Sequence, residues 1–251
     1  MKKRKMKRGT SENRKDIGSF NSQRARRLCS AVAAVSFGLF GVSVSHAQTY
    51  DAVSDFTGTN PSGTWSYLWS GSVGASLSPM TTSIAFNSQW SGIYDGQGEP
   101  NSISVTRNYG PGTSSYLTID DPTNLLNVDP ENDVADVRWT APATGYYSVS
   151  GLYQMTDVNS QQHEVQILQD YNATSPLLAD VVSGYGQQVP FSFSEQLSAG
   201  ETLDFLVNAT NGYSYLSTGF EATITVVPEP ASLSLTLAGG FALLRRSRRK
   251  S

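Results

Sequence analysis

The sequence contains few of the residues on which many catalytic and metal sites depend. It has one cysteine and two histidines, His46 and His163, in 251 residues. A single thiol cannot form an internal disulfide, and two histidines are too few for a histidine-based zinc site. The scarcity of both residue types therefore excludes a disulfide scaffold and zinc chemistry of that kind.

Basic residues are missing from most of the chain. Sixteen of the 18 Lys and Arg residues lie in residues 1–27 and 245–250, which leaves only Arg107 and Arg138 between these ends. Residues 48–227 carry eighteen of the 21 acidic residues, so their formal charge is −16. A surface this acidic repels phosphate backbones. Nucleic-acid binding is therefore excluded as a function of this region.

The N-terminal segment has the organisation of a secretory signal. A long basic region precedes the apolar run Leu28–Val44, and small residues follow it immediately before Gln48. This order predicts a signal peptide over residues 1–47 with cleavage before Gln48, and hence export. The only cysteine lies inside this segment, so the mature chain has no thiol. Arg26-Arg27 leaves the choice between general secretion and the twin-arginine route open, and an uncleaved anchor helix is the alternative.

The C-terminal segment, residues 228–251, has three parts in a fixed order. Pro228, Glu229 and Pro230 come first, the apolar run Leu233–Leu244 follows, and a cluster of arginines and one lysine closes the chain. Prolines end a preceding strand, an apolar segment enters a bilayer, and basic residues remain on the cytoplasmic side. This order predicts a short hydrophobic helix that associates with a membrane.

These C-terminal residues resemble the PEP-CTERM sorting signal, which is also known as the ice-binding-protein C-terminal domain, a name that implies nothing about ice. The resemblance implies that an exosortase-type membrane transpeptidase recognises Pro228, Glu229 and Pro230 and processes the tail. The 14 residues of Ala231–Leu244 would form a helix of about 21 Å, shorter than a hydrocarbon core of about 30 Å. A tail that lies on the membrane surface is therefore the alternative to a spanning one.

The region between the two signals has the pattern of an all-β domain. It contains all four Trp, all 12 Tyr and six of the ten Phe residues, which is enough for a large core. Period-two alternation recurs between clusters of Gly, Pro, Asn, Asp and Ser, which predicts about nine or ten strands in an antiparallel β-sandwich over residues 48–227. The alternating segments are 83–86, 102–107, 115–119, 134–140, 146–153, 163–169, 189–194, 202–208 and 219–227.

Three stretches of this region, residues 55–67, 137–151 and 197–205, are similar to a domain found in planctomycete and related PEP-CTERM proteins. That domain has a galactose-binding-like jelly roll, the shape of many carbohydrate-binding modules. The resemblance implies the same fold here, and extracellular polysaccharide as a partner. Jelly rolls of this kind often carry a structural calcium ion.

Two groups of aromatic residues are candidates for stacking on sugar rings. Trp65, Tyr67 and Trp69 alternate, so a strand would place all three on one face, where they form either a binding platform or part of the core. Trp90 and Tyr94 flank Gly92 in a segment that the sequence predicts to be a loop, where aromatic side chains are often exposed for binding.

A run of acidic residues offers a candidate calcium site. Asp129, Glu131 and Asp133 provide hard oxygen ligands at alternate positions. No glycine follows Asp133 and no glutamate occupies the last position of an EF-hand loop. The alternative to calcium is a solvated acidic loop.

No motif in the sequence assigns a catalytic site. No Gly-x-Ser-x-Gly elbow occurs, and a triad in the mature chain would have to use His163. Glycosidase chemistry needs only two carboxylates, and no spacing pattern identifies such a pair. We therefore expect a non-catalytic protein, exported to the cell surface or extracellular matrix, that binds polysaccharide. The alternatives are a jelly-roll carbohydrate-active enzyme and a self-associating structural protein of the matrix.

Overall fold

The computed structural model describes residues 48–86, 89–96, 102–210, 212 and 214–228. All described residues belong to one compact unit. The predicted signal peptide, Glu229, Pro230 and the hydrophobic C-terminal segment lie outside the described residues. Within the described part, no helix has the length and hydrophobicity needed to cross a membrane.

The described part of the chain consists of sixteen β-strands joined by turns and loops, without a helix. The strands are β1 (Thr49–Asp51), β2 (Trp65–Ser70), β3 (Ser78–Pro79), β4 (Thr82–Phe86), β5 (Trp90–Tyr94), β6 (Ser104–Asn108), β7 (Ser114–Tyr116), β8 (Ile119–Asp121), β9 (Leu126–Asp129), β10 (Val134–Thr140), β11 (Gly145–Met155), β12 (His163–Gln169), β13 (Leu178–Val182), β14 (Gln188–Leu197), β15 (Thr202–Asn208) and β16 (Thr218–Val227).

Two large antiparallel sheets contain all but two of these strands. Sheet A has the order β14-β11-β16-β9-β6-β5-β4, with β1 paired to β16, and sheet B has the order β13-β12-β15-β10-β2-β3. The strands β7 and β8 form a separate hairpin. The prediction of an all-β antiparallel sandwich is confirmed.

The main core lies between the two sheets and is rich in aromatic rings. Phe205 of sheet B meets Phe220 of sheet A with ring centroids 5.1 Å apart, and Trp139 meets Tyr147 edge-on at 5.0 Å. All four side chains are buried. Because side chains alternate along a strand, the residues between these positions point to the outer faces of the sheets. The main core is thus filled from one face of each sheet.

The outer face of sheet B carries a small buried polar cluster. Arg138 Nε donates a hydrogen bond to the Asp204 carboxylate over 2.5 Å, and the backbone N–H of Tyr171 donates to the same carboxylate over 2.8 Å. Asp136 is fully buried nearby. Burial and the neighbouring Asp204 raise the pKa of Asp136 well above its ordinary value, while Arg138 opposes this.

Candidate functional site

The aromatic residues of β2 belong to the core. Trp65 and Tyr67 have no exposed surface, and Trp69 is partly buried against the same core cluster. The Trp65 ring nitrogen donates to the Asp55 carboxylate over 3.2 Å, and the Tyr67 ring packs edge-on against Phe56 at 5.2 Å. All three lie on one face of the strand, as the alternation predicts. That face points inward, so Trp65 and Tyr67 offer no platform to a sugar, which corrects their candidacy as binding residues.

Trp90 and Tyr94 lie in a strand, so the prediction of a loop is wrong for this segment. β5 pairs along its whole length with β4 on one side and β6 on the other. Gly92 is needed here for packing, because a Cβ atom at this position would lie 2.7 Å from the Tyr94 ring and 2.8 Å from the Thr106 methyl group. The glycine therefore makes room for neighbouring side chains on one face of the sheet.

That face forms the floor of a cleft. β5, β6 and β9 lie side by side, with Tyr94 opposite Ser104, and Ser104 opposite Asp129. The alternate residues Ile93, Val105 and Val128 point into the main core, so the cleft is on the outer face of sheet A. Its volume is about 620 Å³, and it is lined by Trp90, Tyr94, Ser102, Ser104, Thr106, Ser114, Ser115, Tyr116, Ile119, Asp121, Asn127, Asp129 and Glu131.

The β7–β8 hairpin forms the wall of the cleft and is fixed in place by several contacts. The Asp120 carboxylate accepts hydrogen bonds of 2.5 Å from Ser115 Oγ and from the Tyr185 hydroxyl. Thr118 Oγ1 donates to the Asp157 carboxylate over 2.8 Å. The first bond joins the two strands of the hairpin, and the other two tie β8 and the turn to the rest of the domain. The wall therefore has a defined position before any ligand arrives.

Two carboxyl groups of the cleft repel each other. Asp121 is only 5% exposed, and burial together with the nearby Asp129 raises the pKa of the Asp121 carboxyl to about 7, although a hydrogen bond from Asn127 opposes the shift. Asn127 is itself 8% exposed, and its side-chain oxygen Oδ1 is buried without a hydrogen-bond partner among the described residues. The floor of the cleft thus contains closely placed hydrogen-bond acceptors.

The structure separates the three residues of the predicted calcium site. Asp129 and Glu131 line the cleft, whereas Asp133 does not belong to its lining. Asp129 Oδ1 accepts the backbone N–H of Glu131 over 3.2 Å, and Asp129 Oδ2 accepts from Ser217 Oγ over 3.0 Å, so this carboxylate closes a turn. Among the described residues, no group of three or more His, Cys, Asp and Glu side chains is arranged to hold a metal ion. The predicted three-carboxylate site is therefore not assembled.

His163 lies away from the cleft in β12 and is fully buried. Its Nδ1 lies 3.1 Å from the Gln161 carbonyl oxygen, and its Nε2 lies 2.6 Å from Thr218 Oγ1. Burial lowers the pKa of His163 to about 4, so the ring is neutral at neutral pH. These contacts are to a backbone carbonyl and a threonine, which gives the ring a packing role.

The polar floor residues Thr106 and Asn127 were not predicted from the sequence. The available signal was alternation: Ser102, Ser104 and Thr106 alternate with apolar residues in one segment, and the short stretch 126–129 alternates in the same way. Polar residues on one side of a strand predict a solvated face. They do not indicate which other strand shares that face.

Comparison with known proteins gives a weak likeness of fold. No family model matches the chain, and no curated protein matches it. A family 35 carbohydrate-binding module from Paenibacillus barcinonensis is 12% identical over 72% of this chain and 99% of its own, with a TM-score of 0.30. The CBM36-1 domain of a multidomain xylanase from the hindgut metagenome of Trinervitermes trinervoides is 8% identical over 47% and 92%, with a TM-score of 0.29.

Pika GITRL is similar to a comparable degree. It is 13% identical over 38% of this chain and 76% of its own, with a TM-score of 0.26. A carbohydrate-binding module and Pika GITRL thus match this chain with similarly low TM-scores and identities. Likenesses this weak carry no argument about what this chain binds. The function is therefore argued from the cleft.

Proposed function

We propose that this chain is a non-catalytic binding protein and that its cleft holds a segment of polysaccharide. The observation that carries the proposal is the composition of the cleft, which is lined by Trp90, Tyr94 and Tyr116 together with hydroxyl, amide and carboxylate groups. Aromatic rings offer flat apolar faces with a large contact area, which suits the C–H faces of sugar rings. The polar groups can accept and donate hydrogen bonds to sugar hydroxyls.

The dimensions of the cleft support a ligand larger than one sugar ring. Its volume of about 620 Å³ falls in the range typical of small-ligand sites. A second hollow of about 340 Å³ adjoins it, since Ser114 lines both, and continues past Asn108 to Gly112. The two hollows follow the hairpin along the outer face of sheet A. A short run of a polymer chain fits such a groove.

The terminal sequences support a location outside the cytoplasm for this activity. We propose that residues 1–47 direct export and that the segment from Pro228 onward directs sorting to the cell envelope or extracellular matrix, through an exosortase-type enzyme. Pro228 follows β16 directly and is exposed. Exposure of Pro228 at the end of the last strand supports access by a processing enzyme, and a polysaccharide-binding protein would meet its ligand outside the cell.

Replacement of the cleft aromatic residues tests the binding proposal. With the full-length protein and the best ligand from a glycan array, we expect Trp90→Ala and Tyr116→Ala each to weaken binding at least about tenfold, because buried aromatic anchors dominate such interfaces. Tyr146→Ala is the matched control, because Tyr146 is a half-exposed tyrosine on β11 of the same sheet, outside the cleft. Isothermal titration calorimetry measures the affinity of all three variants for this ligand. Equal losses in all three variants, or none, would place the binding surface elsewhere.

The carboxyl pair favours a second candidate, a carbohydrate-active enzyme. Glycosidases use two carboxyl groups, one of which has a raised pKa and donates a proton. Asp121, with its pKa of about 7 beside Asp129 in the cleft, fits the description of such an acid. Chromatography of the array's best ligand after prolonged incubation separates the two functions. Intact ligand supports binding alone, whereas hydrolysis that Asp121→Asn abolishes would establish the enzyme.

A further inference from the structure

Residues 170–175, between β12 and β13, form a strap that lies over part of the outer face of sheet B. We infer that Asp136 and Asp204 hold one proton between them beneath this strap, and that the proton keeps the strap closed. The inference goes beyond the proposed function, because it concerns sheet B and involves neither the cleft in sheet A nor a glycan.

The hydrogen bonds around the two carboxyl groups show where the negative charge lies. Asp204 has no exposed surface and accepts a hydrogen bond of 2.5 Å from Arg138 Nε. It also accepts from the Tyr171 N–H over 2.8 Å and from Thr202 Oγ1 over 2.9 Å. Asp136 is fully buried too, yet no N–H or hydroxyl group of the described residues donates to either of its oxygens. Because a buried carboxylate without donors is costly, Asp204 carries the charge and Asp136 is protonated.

The pairing of β10 with β15 places the two carboxyl groups side by side. Asp136 lies opposite Leu206 and Asp204 lies opposite Arg138, so the two aspartates are diagonal neighbours on one face of the sheet. The Asp136 carboxyl is within hydrogen-bonding reach of Asp204, to which it donates its proton. With this proton in place, the single negative charge is balanced by Arg138.

The other titratable groups that face the pair are tyrosines. They are Tyr171 of the strap and Tyr153 of β11, and burial, followed by the nearby Asp136, raises the pKa of both hydroxyl groups, which therefore stay neutral. The residues opposite the pair on β2 and β12 do not titrate; they are Leu68 and Leu168. Loss of the shared proton would leave Arg138 beside two buried carboxylates.

The strap is strained and depends on its contacts to sheet B. Asp170 and Tyr171 have φ angles of +49° and +56°, in the left-handed region that residues other than glycine rarely adopt. Such a conformation persists only where the surroundings hold it. The Asp170 carboxylate accepts the Thr202 N–H over 2.9 Å, and the Tyr171 hydroxyl lies 2.8 Å from Ser70 Oγ. The bond from the Tyr171 N–H to Asp204 fixes the backbone between these two contacts.

Opening of the strap should release the shared proton. Once exposed to water, Asp136 would have the ordinary aspartate pKa near 4, whereas burial and Asp204 raise this pKa in the closed state. The closed state is therefore fully stabilised below about pH 4, and the stabilisation falls as the pH rises from there to the raised pKa. Opening would also expose the apolar residues against which Tyr171 packs, which are Val134, Leu168 and Leu206.

Amide hydrogen exchange of the full-length protein, followed by NMR, tests the inference. The probe is the Tyr171 N–H, which donates to Asp204. Its exchange rate is divided into the rate of an unstructured peptide at the same pH, which gives a protection factor. We expect this factor to fall about tenfold for each pH unit, and about a hundredfold from about pH 5 to about pH 7, because each opening releases one proton.

Two variants with the same substitution locate the proton. Asp136→Asn keeps the shape of the side chain, offers Asp204 an N–H donor and cannot titrate, so the protection of the Tyr171 N–H should lose its dependence on pH. Asp180→Asn is the matched control, because Asp180 is an exposed carboxylate on β13 of the same sheet. It should retain the fall of about a hundredfold.

Carbon-13 NMR of the side-chain carboxyl groups provides a measurement on the wild-type protein that needs no variant. Asp136 should be protonated at about pH 6, about two units above the ordinary aspartate pKa. If Asp136 titrated near pH 4 in the folded protein, the shared proton would be refuted. Protection at Tyr171 that is constant with pH in the wild type, or that falls as steeply in Asp136→Asn, would refute its coupling to the strap.

Discussion

Gly151→Ala is expected to destabilise the domain by about 3 kcal/mol or more. Gly151 lies in the middle of β11, where it is opposite Phe191 of β14 and Ala222 of β16. A Cβ atom at this position would lie 2.0 Å from the Glu221 carbonyl oxygen and 2.6 Å from the Phe191 ring. The backbone atom cannot move away without disrupting the ladder of sheet A. Urea unfolding, followed by tryptophan fluorescence, measures the loss.

Gly184→Ala is the matched control for this prediction. Gly184 lies before β14, and a Cβ atom there would have no heavy atom within 4 Å. The change should alter the free energy of unfolding by less than about 0.5 kcal/mol. If Gly151→Ala proved as mild as Gly184→Ala, the close approach of β11 to β16 would be wrong, and with it the pairing at the centre of sheet A.

The second large effect concerns the acid stability of the protein and the buried ring of His163. The unfolded chain binds a proton at His163 near pH 6.5, and the folded protein binds it near pH 4 because burial lowers the pKa. The unfolded state therefore holds more protons between these two pH values. The free energy of unfolding should fall as the pH falls through this window, by about 3 kcal/mol from this residue alone.

Carboxyl groups with a raised pKa, among them Asp121 and Asp136, act in the opposite direction. The pKa values of Asp121 and Asp136 are raised in the folded state, so their contribution to stability is lost as the pH rises above their ordinary value near 4. The pH dependence of the wild-type protein's free energy of unfolding is therefore the sum of opposing contributions. The contribution of His163 has to be taken from the difference between the wild-type protein and a variant.

His163→Gln provides that difference, because glutamine does not titrate and can still hydrogen-bond to Thr218. We expect the variant to be less stable than the wild type at pH 7, where lost packing dominates, and this deficit to shrink by about 3 kcal/mol toward pH 4. Chemical denaturation across the pH range measures it, and the NMR titration of the ring provides a check. A deficit that does not change with pH, or a ring that titrates near pH 6.5 in the folded protein, would refute the account.

The long strands could be predicted from the sequence because their alternation is continuous. β10, β12 and β15 begin and end at the predicted residues. Their alternate residues fill the core, as with Leu203, Phe205 and Val207 of β15, and Gly200 turns the chain before that strand with a φ of +92°. Local pattern and tertiary packing agree in these segments, which is why the pattern was sufficient.

Shorter elements could not be predicted, for reasons that lie in the local chemistry. Residues 115–119 were predicted as one strand, yet the chain reverses at Leu117, whose φ of +54° is unusual for leucine and has no sequence signature. In β5, Gly92 suggested a loop. In the structure Gly92 lies within the strand, where the absence of a Cβ atom leaves room for the Tyr94 ring beside Thr106.

The sequence predicted several residues of the candidate site, but not that they lie in one cleft. Trp90 and Tyr94 were proposed for sugar stacking, and Asp129 and Glu131 for calcium, as two unrelated groups. The order of β5, β6 and β9 in sheet A brings all four into one cleft. That order depends on pairing between distant segments, which local alternation does not encode. Their role in binding remains a prediction.

Hydrogen–deuterium exchange of the full-length protein, with and without the polysaccharide it binds most tightly, tests the central claim most directly. The account predicts that the ligand slows exchange in the β7–β8 hairpin and in the cleft strands β5, β6 and β9, and leaves β12 and β13 of sheet B unchanged. Slowed exchange confined to sheet B or to the strands β11 and β14, with none around the hairpin, would contradict it.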